Sequence, residues 1–350
     1  MARPFNAAGI FGASLVALAA LSGPGAAGAQ TAPALTVPAV SSPPAVRLAS
    51  FDYGLKARAL ADGVYVVEGA VDDFSLANGC NIINTGFVVT GAGVLVINTG
   101  PSRRYGEQLR ALIARTTAEP VVQVIHLNLH PDYFLGNQAF ADVPITATAE
   151  TRAGLQREAK GYEDNMYRLC GDWMKATEAR LPTQTIGPGP LRIGQREFDL
   201  REYQGHTRSD LVLVVKSSGK GSERSQDVAF VGGLVFANRV PTTPHADVAA
   251  WLQSLQALEG LAPLKAGLVV PSHGPVHAGL RGLQQTRDYL QWLDSSFSRW
   301  AAAGWEVNEV LRAPPPQPFS RWAAWPVEYI RNVAHLYPRY ERAALPAGKP

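Results

Sequence analysis

From Phe51 onward the chain alternates between short β-branched runs and longer amphipathic ones. "GVYVVEGA", "NIINTGFVVT" and "GVLVINTG" are apolar runs of strand length separated by Gly and Asn, which suit turns, and they predict successive strands. "SRRYGEQLRALIARTT" then sets Tyr105, Leu109, Leu112 and Ile113 at helical spacing, and the strand "VVQVIH" follows it. Strand, helix, strand predicts a crossover connection. The stretch from Ala149 to Arg180 has no internal proline and is rich in helix formers, so it predicts one or two helices. Strands return in "REFDLREYQG", "DLVLVVK" and "VAFVGGLVF", ahead of the helix "ADVAAWLQSLQAL" and the strand "AGLVVPSHG". Each half therefore runs from several strands to a helix and a final strand. That duplication predicts an α/β layered architecture, two sheets packed together with helices outside.

Beyond about Arg281 the pattern becomes helical: "GLQQTRDYLQWLDSSFSRWAAAG" leads through "APPPQPF" to a last helical stretch ending in "HLYPRY". Trp292, Trp300, Trp305, Trp322 and Trp325 crowd this tail. Their expected role is to dock it on the domain as amphipathic anchors, ahead of stacking on a ligand. At the other end, Arg3 precedes an apolar run from Ala7 to Leu21, Gly23 and Pro24 break it, and Ala27-Gly28-Ala29 offers small residues for cleavage. Residues 1–29 thus read as a signal peptide and 30–50, rich in Ala and Pro, as a tether. The domain is expected over 51–283 and a Trp-rich helical extension over 284–350. The run is short for a membrane span, so the mature chain is expected to be periplasmic or secreted, without a membrane anchor.

The apolar fraction, 46%, can fill a sizeable core, and a net charge of +3 with no basic stripe excludes a nucleic-acid partner on electrostatic grounds. Export matters for the two cysteines, Cys80 and Cys170. In an oxidising compartment they are expected to form one disulfide, with two separate buried thiols as the open alternative.

The chemistry-bearing positions recur at strand ends. His130 and Asp132 follow "VVQVI" two residues apart, so both can leave the same side of an extended segment; His206 follows "DLREYQG" and His273 follows "LVVPS". A single loop histidine is more often solvated than a ligand. Recurrence after successive strands points to a metal site of His and carboxylate ligands. His245, His277 and His335 lie on or near expected helices and are assigned no chemistry.

"HPDYFLGN", "INTG" after an apolar strand, "GHTRSDLVLV", "FVGGLVFANRVPTTPHAD" and "VVPSHGPV" together resemble the five ordered motifs of the metallo-β-lactamase superfamily, over about Phe51 to Leu283. More narrowly, "NTGPSRRYGEQ", "RVPTTPHAD", the Trp-rich tail and "VAHLYPR" resemble the exported zinc metallohydrolases of quinoprotein (PQQ-dependent) dehydrogenase systems. The resemblance implies a four-layer αβ/βα sandwich with a C-terminal helical extension and a site at one edge of the two sheets. It also implies two metals held by a His-x-His-x-Asp-His motif, a Gly-His, a bridging carboxylate and a final Gly-His. Such a pair lowers the pKa of a bound water so that a nucleophile exists near neutral pH.

This chain departs from that pattern within the site. Asn128 stands at the first His position, Tyr133 at the last His of the same motif, Gly233 at the bridging carboxylate, and Asn98 at the Asp of the Ile-Asp-Thr-Gly turn. His130, Asp132, His206 and His273 remain, which implies one zinc ion or none, with two disfavoured. Two functions follow. One is hydrolysis of an ester, thioester or lactam at a single zinc, with Asp132 orienting or deprotonating water and Tyr133 donating to the oxyanion. The other is a non-catalytic protein that binds a small molecule or a partner of the quinoprotein system.

Overall fold

The computed structural model describes residues 51–217 and 226–345; the expected signal peptide, its cleavage site and the tether lie outside them. Thirteen strands are present among the described residues, in two sheets. The first runs β1 (Arg58–Ala61), β2 (Val64–Val67), β3 (Thr85–Val89), β4 (Val94–Ile97), β5 (Val121–Ile125), β6 (Ile145–Ala147) and β7 (Gln184–Thr185), neighbours in that order. The second holds β8 (Gly189–Ile193), β9 (Arg196–Tyr203), β10 (Asp210–Val215), β11 (Val228–Phe230), β12 (Leu268–Val270) and β13 (His277–Ala278), again in chain order across the sheet. The crossover predicted after β4 is α1 (Arg103–Thr116), and β4 and β5 pair in parallel as such a connection requires.

Strand alternation sorts the side chains into layers. Val88, Leu95 and Ile97 of the first sheet meet Leu200, Leu211, Leu213 and Phe230 of the second in the core between the sheets. Phe87, Val94 and Val96, one residue out of step, face outward onto Tyr105, Leu109 and Ile113 of α1, the helical stripe read from sequence. Outside the second sheet, Val212, Val214 and Ala229 pack on Trp251, Leu255 and Leu258 of α4 (Val248–Glu259) and on α6 (Arg281–Ala302). Helix, sheet, sheet, helix is the expected four-layer sandwich.

The segment from Ala149 forms α3 (Ala149–Cys170), capped by Thr148, whose side chain accepts from the Thr151 N–H. It ends at Gly171, where φ of 51° reverses the chain at no steric cost. Cys170, its last residue, is joined to Cys80 in a disulfide, which ties α3 to the loop between β2 and β3. The expected boundary at Leu283 falls inside α6, and α6 shares one core with α4 and with α8 (Val327–Ala344). The C-terminal region is therefore built into the outer helical layer. The tryptophans act as anchors there: Trp300 stacks on Trp305 at 5.3 Å and Trp325 on Tyr329 at 4.7 Å. No helix among the described residues is long and apolar enough to cross a membrane.

Candidate active site

The first sheet delivers its chemistry at the carboxyl end of β5. The chain leaves that strand through Asn128 and His130 and enters α2 (Pro131–Phe134), a single turn with Pro131 at its first position and His130 as its cap. Asn98 holds this exit. Its backbone lies in the left-handed region, φ 59°, which Asn tolerates better than most residues. Its Oδ1 accepts from the Leu127 N–H at 3.1 Å. A neutral amide thus holds the end of β5 at the position where the resemblance implies an aspartate.

Asp132 and His273 come together. The Nδ1 of His273 lies 2.8 Å from the carbonyl of Ile82, which can only accept, so Nδ1 carries the proton and Nε2 presents its lone pair. That Nε2 stands 3.5 Å from Oδ2 of Asp132. Burial pushes the Asp132 carboxyl up to about 7, against the pull of the Arg239 guanidinium, while burial and then Arg239 hold His273 well below the ordinary imidazole range. Burial thus favours the uncharged form of both groups. Neither Asp132 Oδ2 nor Nε2 of the neighbouring His130 has a hydrogen-bond partner, although both are buried.

His206 is engaged elsewhere. Its Nδ1 lies 3.3 Å from the Asn128 amide nitrogen and 3.4 Å from Asp210 Oδ1, and its Nε2 lies 3.2 Å from the Thr242 hydroxyl. Both ring nitrogens face protein partners. The ring also occupies space beside Gly233, where a Cβ would stand only 1.8 Å from its Nδ1. Tyr133 is buried in the core between the sheets and does not line the cavity described below, and its hydroxyl is influenced by Asp132, Ser272 and Asn128. His126 is likewise buried, with Nε2 2.7 Å from Asn137 Oδ1.

A cavity of about 410 Å³ opens above His130, Asp132 and His273. Its other walls carry residues to which the sequence reading gave no chemistry: His245 and Tyr162, linked by a 2.9 Å hydrogen bond, and Glu328, Arg331 and His335 of α8. The last three recur at spacings of three and four, so they share one helix face, which was the available signal. Behind them Arg239, fully buried, lies 3.8 Å from Asp73 and 3.9 Å from Glu328, and Arg331 binds the same two carboxylates at 2.8 and 3.0 Å. This quartet ties α8 to the site.

A sequence profile of the metallo-beta-lactamase superfamily matches residues 78–273, more than half of the chain, and the chain belongs to that superfamily. Solved structures agree on the fold. A metallo-beta-lactamase from Pontibacter korlensis superposes with a TM-score of 0.54 at 22% identity, covering 68% of this chain and 99% of that one. The metallo-beta-lactamase IND-7 gives 0.52 at 21% identity, with 68% and 98% covered, and one from Hirschia baltica gives 0.50 at 17%, with 67% and 97% covered. No curated protein matches the sequence. The structural matches take in nearly all of each relative and about two thirds of this chain, and the profile match ends at His273, ahead of α6 and α8.

Zinc is usual in the superfamily, and the residues present do not fit it well. Among the described residues no group of three or more His, Cys, Asp or Glu side chains is placed to hold a metal ion. Asp132 and His273 keep a paired arrangement. His206, named from sequence as a third or fourth ligand, has both nitrogens turned to Asn128, Asp210 and Thr242.

Proposed function

We propose that this protein is a ligand-binding member of the metallo-beta-lactamase superfamily in which hydrolytic metal chemistry has been given up. The observation that carries the reading is the engagement of His206: its nitrogens face protein partners and its ring stands where a side chain at residue 233 would begin. The 410 Å³ cavity is of a size for a small organic molecule, with Phe74, Ile82, Leu169 and Pro244 as apolar walls and neutral imidazoles as hydrogen-bonding groups. The Asn128, Tyr133 and Gly233 replacements support the same reading, since each removes a metal donor.

The leader-like N-terminus supports export to the periplasm, and the "RVPTTPHAD" and "VAHLYPR" motifs support a role beside a quinoprotein dehydrogenase. A second reading, a one-zinc hydrolase of an ester, thioester or lactam, is favoured by one observation: Asp132 Oδ2 and His273 Nε2 stand 3.5 Å apart, with the buried His130 Nε2 free beside them. Assay of the zinc-supplemented mature protein against a chromogenic cephalosporin, a p-nitrophenyl ester and a thioester separates the two. The binding reading expects rates equal to the protein-free control, and zinc-dependent turnover that is abolished in His273→Ala would sink it.

A further inference from the structure

We infer that His206 acts as a plug: its imidazole fills the volume that a side chain at residue 233 needs, so a carboxylate donor cannot be accommodated at 233 without displacing that ring. The inference rests on the metal-free reading above and gives it a steric cause.

The requirement for glycine at 233 is not conformational. Gly232, its neighbour, has φ of 55°, in the left-handed region, whereas Gly233 lies outside that region and its backbone would accept any residue. The obstacle is the ring. A Cβ at 233 would stand 1.8 Å from His206 Nδ1, 2.2 Å from its Cε1 and 2.8 Å from the Asn128 amide nitrogen, all inside van der Waals contact. A side-chain tip can often swing away from such an overlap, but this one is boxed in. Trp251, fully buried, packs on the ring at 5.0 Å between centroids, with Phe236 at 5.6 Å and His130 at 4.4 Å. Nor can the backbone retreat, because Gly205, immediately before His206, is itself pressed on Trp251, where a Cβ would meet the Trp251 Cα at 2.2 Å. Asn128 completes the arrangement. The residue that stands in place of the first His ligand aims its amide nitrogen at the plugging ring, 3.3 Å away.

The residues at 128 and 233 are therefore coupled through one ring: glycine leaves it room and the Asn128 amide lies against it. Restoring a donor at 233 alone collides with the plug.

Thermal unfolding of four proteins tests this: wild type, Gly233→Ala, His206→Ala and the double variant. Where no ring is in the way, replacing a glycine of ordinary φ by alanine raises the melting temperature slightly or leaves it unchanged. The plug predicts that Gly233→Ala lowers it by roughly 4 °C or more in the wild-type background. With alanine at 206, the same change costs markedly less, because only the Asn128 amide nitrogen, a side-chain tip with room to swing into the vacated space, remains close. His206→Ser supplies a second background should the alanine double variant not fold. An equal effect of Gly233→Ala in both backgrounds, or no effect in the wild type, overturns the plug. Zinc analysis of the same wild-type preparation judges the metal-free reading separately: one bound equivalent overturns that reading, while the thermal cycle decides the packing claim by itself.

Discussion

Asp132→Asn isolates the electrostatic state of the cavity floor. The side chain is 2% exposed, and its carboxyl is raised from 3.8 to about 7, with burial as the main cause. Between those two values the folded protein keeps a proton that the unfolded chain has released, so this group's contribution to stability falls as pH rises through the window and is flat above it. A difference of about 3 pH units at about 1.4 kcal/mol each makes the loss on the order of 4 kcal/mol, an upper figure because buried sites relax. Asparagine is nearly isosteric and does not titrate. Buried His130 and His273 have the opposite sign: their depressed values cost stability as pH falls below about 6.5, where the unfolded chain takes up protons that the folded one refuses. His130 is common to both proteins, whereas His273 loses the carboxylate 3.5 Å away and is depressed further in the variant, which adds to the divergence in the same direction. Urea unfolding of wild type and variant across about pH 4 to 8 should therefore give curves that diverge steadily, the variant gaining relative to wild type as pH rises. Parallel curves would refute the reasoning, because they would mean that Asp132 is ionised throughout, as a bound cation would make it.

Other perturbations probe the supports of the site. Removing the Cys80–Cys170 disulfide, with its sequence separation of 90, should cost up to about 4–5 kcal/mol on the chain-entropy estimate, read as a lower urea midpoint for Cys80→Ser/Cys170→Ser; an unchanged midpoint would mean that the link constrains little. Glu328→Gln should cost on the order of 3 kcal/mol, since it leaves the buried Arg239 guanidinium with fewer partners, and a midpoint equal to that of wild type would remove the quartet from the account. Mass spectrometry of protein expressed from the full sequence should find Gln30 as the first residue; an intact Met1 would contradict the reading of residues 1–29 as a cleaved signal.

Much of the architecture was legible because it depends on local period. The apolar run in "GVLVINTG" and the stripe from Tyr105 to Ile113 are each the property of one element, and both elements form where that pattern places them. The ends of β5 and β12 could be read as site positions for the same reason. What escaped was convergence. His245 lies in the loop before α4, His335 lies on α8, and neither has a local pattern that says both face Asp132 across one cavity. The role of Gly233 was legible only as a missing ligand. That the space beside it belongs to His206 is a consequence of how Trp251 and Gly205 pack, which involves elements distant in the chain. Short strands such as β6 and β7 carry too few residues to show a period at all.

The central claim is that His130, Asp132, His206 and His273 no longer form a metal centre. Elemental analysis of the purified mature protein after zinc loading and removal of free ion tests it most directly. The account predicts less than about a tenth of an equivalent of zinc, unchanged in a His206→Ala/His273→Ala variant. A full equivalent in the wild type that is lost in that double variant would contradict it.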